Sequence, residues 1–336
     1  MTRPGGGGPD ATGVLVMAHG TPRSVEEIDA FYTEIRRGRA PTAGQLAELT
    51  DRYRAIGGTS PLNERTRAQV AGIARALEGG GTGRFVVVGG AKFAAPRIEE
   101  AVADLRAAGV RRIVGLVLAP HSSSVSVGEY DRRARQAVGS GGTGAAGGIE
   151  WQMIDHWYDA PGFEALMAGR VRRGLDDLVA QLSARRSDSA SGGPVRVLFS
   201  AHSVPVRVIE AGDNYGEQLA SSARSVAGAA GVRDWSVAWQ SAGRTDDEWL
   251  GPDINAVIGE LPGLGYGGVL VCPIGFVSDH LEVLYDIDIE AAATAEKAGI
   301  ALARTASLND DPLFCALLAD VVREAAGHGR HTGAGG

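Results

Sequence analysis

Val197-Leu198-Phe199-Ser200-Ala201-His202-Ser203-Val204-Pro205 is a short apolar run that ends in a histidine and a Ser-Val-Pro turn. A run of this length and composition reads as a buried strand, with the histidine just past its carboxyl end. The stretch has a twin about half the chain upstream, Val14-Leu15-Val16-Met17-Ala18-His19-Gly20-Thr21-Pro22. A second echo follows each copy. Leu116-Val117-Leu118-Ala119-Pro120 leads to Glu129, and Leu270-Val271-Cys272-Pro273 leads to Glu282, nine residues after the proline both times. The chain therefore reads as a duplicated unit that brings a histidine and a glutamate to strand ends.

Outward from these stretches, valine-rich runs alternate with amphipathic ones, the pattern of βαβ units and a parallel sheet. The expected strands are 14–18, 85–89, 113–118, 150–154, 195–199, 235–239 and 268–273. Ser24 with Glu27 reads as a capping box, opening a helix whose apolar face is Val25, Ile28, Phe31 and Ile35 and which ends near Gly38. Gly139–Gly148 and Arg185–Gly193 read as flexible surface segments and Gly327–Gly336 as a frayed tail. Right-handed crossovers put all strand carboxyl ends of a sheet on one edge, where α/β proteins bind ligands. Both histidines fall there.

At 336 residues the chain is long enough for two cores. A net charge of −7 argues against nucleic acid as the main partner. No apolar run reaches the roughly 20 residues of a membrane helix, and Met1–Gly13 lacks a signal-peptide core, so a cytoplasmic location is expected. Two cysteines, Cys272 and Cys315, supply neither a disulfide framework nor a four-thiolate cluster. Arg36, Arg37 and Arg39 form a local basic patch that either holds carboxylates or phosphates or is a solvated helix end. There is no G-x-G-x-x-G at a strand-to-helix turn and no Walker motif, so dinucleotide chemistry is not indicated.

His202, at a strand end, is either a core histidine bonded to a carbonyl or a group facing a cleft. Glu282, Asp286 and Glu290 fall at i, i+4 and i+8, one face of a helix. Such a ladder is either a water-facing acidic stripe or a path for cations. Leu281, Val283, Leu284 and Ile287 around Glu282 predict that this carboxylate is partly buried. A carboxylate beside a neutral imidazole can take a proton or a divalent ion such as Fe2+, Zn2+ or Co2+.

With these residues in view, the chain resembles the ferrochelatases, of the soluble bacterial type that uses coproporphyrin III, from about Val14 to Val322. The stretches that carry the resemblance include Ala18-His19-Gly20-Thr21-Pro22, Arg36-Arg37-Gly38-Arg39, Asp51-Arg52-Tyr53, Ile56-Gly57-Gly58-Thr59-Ser60-Pro61-Leu62, Leu118-Ala119-Pro120-His121, Ser200-Ala201-His202-Ser203, Gly212-Asp213-Asn214-Tyr215, Trp239-Gln240-Ser241, Trp249-Leu250-Gly251-Pro252 and Gly275–Glu290. Each alone is weak; their order is specific. The resemblance implies two Rossmann-like domains with parallel sheets, 13–158 and 159–310, with a helix at about 311–326 packing back on the first and the porphyrin in the cleft between them. It implies that His202 and Glu282 handle metal and pyrrole protons. Asp286 and Glu290, with Arg52, match an outer metal site that takes a divalent cation. His19, Arg36 or Arg37, Ser60, Tyr130 and Trp239 match positions that hold or line the macrocycle.

The chain departs from that pattern at His19, where soluble relatives often carry tyrosine, and at Asn214, where proline is common. His19 either binds the product metal axially or caps its loop. The four-cysteine iron–sulfur cluster of some relatives is not expected with two thiols, nor is the membrane-anchoring extension of other relatives expected here. The expected reaction is insertion of Fe2+, a substrate, into coproporphyrin III or protoporphyrin IX in haem biosynthesis, by a monomer. The rivals are a sirohydrochlorin-type chelatase using His19 and a porphyrin or haem carrier without turnover.

Overall fold

The computed structural model describes residues 8, 10–79, 83–139, 148–185 and 193–327. Most of the expected surface segments at 139–148 and 185–193, and the tail after Gly327, lie outside the described residues. Among the described residues the chain forms two four-stranded sheets, in two compact units. One unit comprises the described residues up to Asp51, then Gly58–Ala160, then those from Asn309 on; the other comprises Arg52–Gly57 and Pro161–Leu308.

The first sheet contains β1 (Ala11–Ala18), β2 (Arg84–Ala91), β3 (Arg112–Val117) and β4 (Glu150–Ile154), in the order β2-β1-β3-β4. The second contains β5 (Val195–His202), β6 (Trp235–Gln240), β7 (Gly268–Cys272) and β8 (Ala301–Arg304), in the order β6-β5-β7-β8. Every pairing is parallel. The orders are identical when β1 is matched to β5, so the duplication seen in the sequence is a duplication of topology.

β1 and β5 are central strands covered on both faces, which explains their continuous apolar runs. In the first unit, Leu15 and Met17 pack with Ile98, Val102 and Leu105 of one helix and Val127, Tyr130 and Ala134 of another. On the helix pair Leu62–Glu78 and Pro312–Ala325, Gly72 is required, because a Cβ there would strike the Cys315 sulfur. In the second unit, Leu198, Val269 and Val271 meet Ile254, Ile258, Val283, Ile287 and Ala291.

Three local readings are corrected. β8 went unexpected because Ala-Leu-Ala-Arg carries helix formers and no β-branched residue; sheet pairing overrides that propensity. The Ser24–Glu27 capping box does not form. The Glu27 carboxylate accepts instead from the Arg23 backbone N–H at 2.9 Å and from its guanidinium at 3.0 and 2.7 Å, and the first turn is a 3-10 helix. The segment carrying the acidic ladder is not continuous α-helix: an α-turn at Leu281–Tyr285 gives way to a π-helix at Asp286–Ala291 before α-helix resumes at Ala292. Such widened turns re-aim side chains and recur at functional sites.

Candidate active site

The chemistry-bearing residues of the second unit gather at the carboxyl ends of β5, β6 and β7. His202 is the last residue of β5, and Gln240, the last of β6, is its register partner. The His202 Nδ1 lies 2.5 Å from the Ser203 carbonyl. A carbonyl only accepts, so in the neutral ring Nδ1 carries the proton and Nε2 is the basic nitrogen. That Nε2 stands 3.7 Å from Glu282 Oε1.

His280 approaches the same carboxylate from its other side, with Nε2 3.5 Å from Glu282 Oε2. Its Nδ1 lies 2.9 Å from the Ser278 carbonyl, which fixes the same tautomer. His280 has extended backbone (φ −157°, ψ 179°) as the N-cap of the following helix. Gln240 accepts from the Ser200 hydroxyl at 2.9 Å and donates to the Glu282 main-chain carbonyl at 3.0 Å, tying the glutamate to β5 and β6. The Tyr215 hydroxyl donates to the His202 carbonyl at 3.2 Å. Two basic nitrogens and a carboxylate thus converge, yet among the described residues no three His, Cys, Asp or Glu side chains are drawn close enough to hold a metal ion as a ready-made cage. The separations of 3.7 and 3.5 Å between each Nε2 and the carboxylate are longer than a good hydrogen bond.

One turn further on, Asp286 is the deeply buried member of the ladder, its side chain 4% exposed against 33% for Glu282. Glu282 is half-buried, as its apolar neighbours predict, while Asp286, on the same side as Val283 and Ile287, goes deeper. Asp286 accepts from Arg52 at 2.6 Å and from the Ser241 hydroxyl. Arg52 also approaches Glu290 at 3.8 Å, and its guanidinium sits 4.5 Å over the Tyr285 ring. Burial pushes the Asp286 carboxyl up to about 6; Arg52 and Ser241 pull it down, and the charges of Glu282 and Glu290 push it up again. Ser241 holds its backbone at φ +60°, a left-handed conformation uncommon for a non-glycine residue. Arg304, at the end of β8, donates to Asp288 at 2.8 and 3.0 Å and approaches Asp279 at 3.3 Å, clamping both ends of the segment that carries His280, Glu282 and Asp286.

In the first unit His19 is exposed, with Nδ1 3.0 Å from the Gly20 carbonyl and its ring 4.7 Å from Phe93. Arg37 is exposed and Arg36 half-buried, its Nε donating to the Arg39 carbonyl at 3.2 Å. Ser60 and Tyr130 are buried, and burial raises the Tyr130 phenol well above its ordinary range. Trp239, in the second unit, is buried against Tyr215 with ring centres 5.7 Å apart.

The ferrochelatase family model matches residues 11–326. A ferrochelatase of Herpetosiphon aurantiacus is 40% identical over 93% of this chain and 98% of its own length. The coproporphyrin III ferrochelatases of Bacillus pumilus and Bacillus subtilis are 41% and 39% identical, over 92% and 94% of this chain and 96% and 98% of theirs. The chain belongs to the ferrochelatase family. Its enzymatic activity is metal insertion into a porphyrin, in haem biosynthesis. Among solved structures, SirB from Bacillus subtilis with Fe3+ superposes with a TM-score of 0.56 at 10% identity, over 94% of this chain and 96% of that one, a likeness of fold.

Within this ferrochelatase-family fold the structure brings His202 to Glu282, and Arg52 to Asp286 and Glu290. His19, Arg36, Arg37, Ser60 and Tyr130 lie in the first unit. Sequence reasoning passed over His280, Gln240, Ser241 and Arg304. His280 was findable: two residues before Glu282 and just outside the helix, extended backbone puts i and i+2 on one side. Gln240 and Ser241 were findable as the strand-end neighbours of His202. Arg304 had no local signal, because its partners belong to a different element.

Proposed function

We propose that the chain inserts Fe2+ into coproporphyrin III and that His202 and Glu282 carry the step. The observation that supports this most is the approach of two basic Nε2 atoms to one carboxylate, at 3.7 and 3.5 Å. Metal insertion releases two pyrrole N–H protons, and this cluster offers three bases for them. His202 Nε2 accepts a proton or passes the metal; Glu282 accepts the other proton and hands it toward His280. A loose set of borderline nitrogen and hard oxygen donors suits a metal that must be released to the macrocycle rather than kept. The substrate's flat ring must be bound bent to expose its nitrogen lone pairs, at a strain of about 1–5 kcal/mol drawn from remote contacts. His19, Arg36, Arg37, Ser60, Tyr130 and Trp239 are proposed as substrate contacts, the arginines through charge-assisted bonds to carboxylates.

Asp286 and Glu290 are proposed as the outer station for a divalent cation. Arg52 now occupies these carboxylates, so an arriving cation must displace its guanidinium. An iron–sulfur cluster is not part of the proposal: the chain has two cysteines, and burial pushes Cys272 up to about 12 and Cys315 up to about 11, which disfavours thiolates. A cytoplasmic monomer completes it, consistent with the finding that no helix among the described residues is long and apolar enough to cross a membrane. Coproporphyrin III is preferred on the names of the Bacillus relatives. The test is anaerobic Fe2+ insertion followed by absorbance with coproporphyrin III and protoporphyrin IX side by side. Faster turnover of coproporphyrin III is expected; preference for protoporphyrin IX overturns the substrate assignment, and binding without turnover overturns the reaction.

A further inference from the structure

The duplication leaves an imidazole and a carboxylate in the first unit as well. His19 follows β1 as His202 ends β5, and Glu129 follows Pro120 by nine residues as Glu282 follows Pro273. Their local geometry is also shared: each imidazole sets Nδ1 against the carbonyl of the next residue, at 3.0 Å for His19 and 2.5 Å for His202. The difference lies on the neighbouring strand.

In the second unit the register partner of His202 is Gln240. Gln240 is neutral and spends its amide on the Glu282 main-chain carbonyl, so it adds no charge and takes nothing from the carboxylate. In the first unit the β1–β2 register pairs Ala18 with Ala91, and one step further sets His19 against Lys92. The strand contact continues there, with Lys92 N–H donating to the Ala18 carbonyl at 3.0 Å and Phe93 N–H to the His19 carbonyl at 2.9 Å. The Lys92 ammonium ion-pairs with the Glu129 carboxylate itself. Its side chain is 9% exposed, with Nζ 4.9 Å from the Tyr130 ring centre and 5.3 Å from that of Phe93, so it is seated rather than loose. Burial raises Glu129, but the Lys92 hydrogen bond and charge, with Arg37 and Arg132, hold it below the usual range. Two residues before Glu129, where the second unit has His280, stands buried Val127.

We propose that Lys92 silences a second copy of the metal-handling pair, so that the duplicated fold has one loading point for the cation instead of two. A fixed ammonium on the carboxylate repels a divalent ion and occupies the oxygens it would need. Val127 removes the third donor. The chain thereby keeps its substrate metal from being held by a twin that has no proton relay. The inference rests on reading His202, Glu282 and His280 as the metal-handling group of the second unit.

The test is made in a His202→Ala/Glu282→Gln/Asp286→Asn background, which disables that group and the outer carboxylate station beside it. Full-length protein with this background alone, with Lys92→Gln added, and with Lys92→Gln/Val127→His added is titrated with Co2+ and followed by its visible d–d absorption and by equilibrium dialysis. Circular dichroism confirms that each variant is folded, and Lys92→Met controls for loss of charge without a new donor. Lys92→Gln/Val127→His should bind one Co2+ at least about tenfold more tightly than the background, with Lys92→Gln intermediate. Should the triple donor set fail in the double variant, Lys92→Gln in the otherwise native chain must show one Co2+ more than the native protein. Equal binding in all of these overturns the proposal, as does tight Co2+ binding by the background with Lys92 intact. Residual iron insertion by the background would instead refute the assignment of His202 and Glu282, an outcome read by a separate assay.

Discussion

Asp286→Asn should make the protein more stable and less able to take up iron. The Asp286 carboxyl rises from its ordinary 3.8 to about 6, chiefly because it is buried, and its side chain is only 4% exposed. The folded state therefore holds this proton more tightly than the unfolded chain does. Stability linked to the group is full below pH 3.8 and is lost as pH rises through 6. At about 1.4 kcal/mol per unit, ionised Asp286 costs the fold about 3 kcal/mol at pH 7. An asparagine keeps the shape and an acceptor for Arg52 without the charge. The difference in stability between variant and native protein should grow from near zero at pH 4 to about 3 kcal/mol at pH 7, or roughly 5–10 °C in the unfolding midpoint. Differential scanning calorimetry of both proteins across that range measures it. A variant that melts lower at pH 7, or a gap that does not change with pH, refutes the reasoning. The same variant should need more Fe2+ for half-maximal rate, because the outer carboxylates have lost a charge.

Three further outcomes follow from the same geometry. Arg52→Ala should raise the affinity for a divalent cation at Asp286 and Glu290, seen as a larger Mg2+- or Co2+-dependent rise in melting temperature; an unchanged rise contradicts the outer station. Arg304→Met should cost about 2 kcal/mol in urea unfolding, below the 3–5 kcal/mol for a fully buried pair because Asp288 is 37% exposed. It should also lower kcat more than it raises the KM for porphyrin, with partial recovery in Arg304→Lys; a pure stability loss with normal kcat rules out the positioning role. His280→Ala should slow insertion while leaving porphyrin affinity intact, and an unaffected rate takes His280 out of the proton path.

What the sequence disclosed, it disclosed through short-range pattern. β1, β3, β5 and β7 were legible because central parallel strands are continuously apolar, and the repeated His and Glu marked the strand-end edge. Glu282 stands near His202 because β5 and β7 are neighbours in a parallel sheet. β8 was hidden by helix-forming residues on an edge strand. The π-turn was hidden because hydrogen-bond register does not show in hydrophobic spacing. The clamp of Arg304 on Asp279 and Asp288, and of Lys92 on Glu129, depend on which loops the topology brings together. No residue type at one position announces that.

The most direct test of the account is single-turnover Fe2+ insertion into coproporphyrin III by His202→Ala, with porphyrin affinity measured separately by fluorescence quenching. The basic nitrogen nearest Glu282 would be gone while the rest of the fold stays. Insertion should fall by at least about a hundredfold at unchanged porphyrin affinity. A rate within a few-fold of the native enzyme would show that protons and metal take another route.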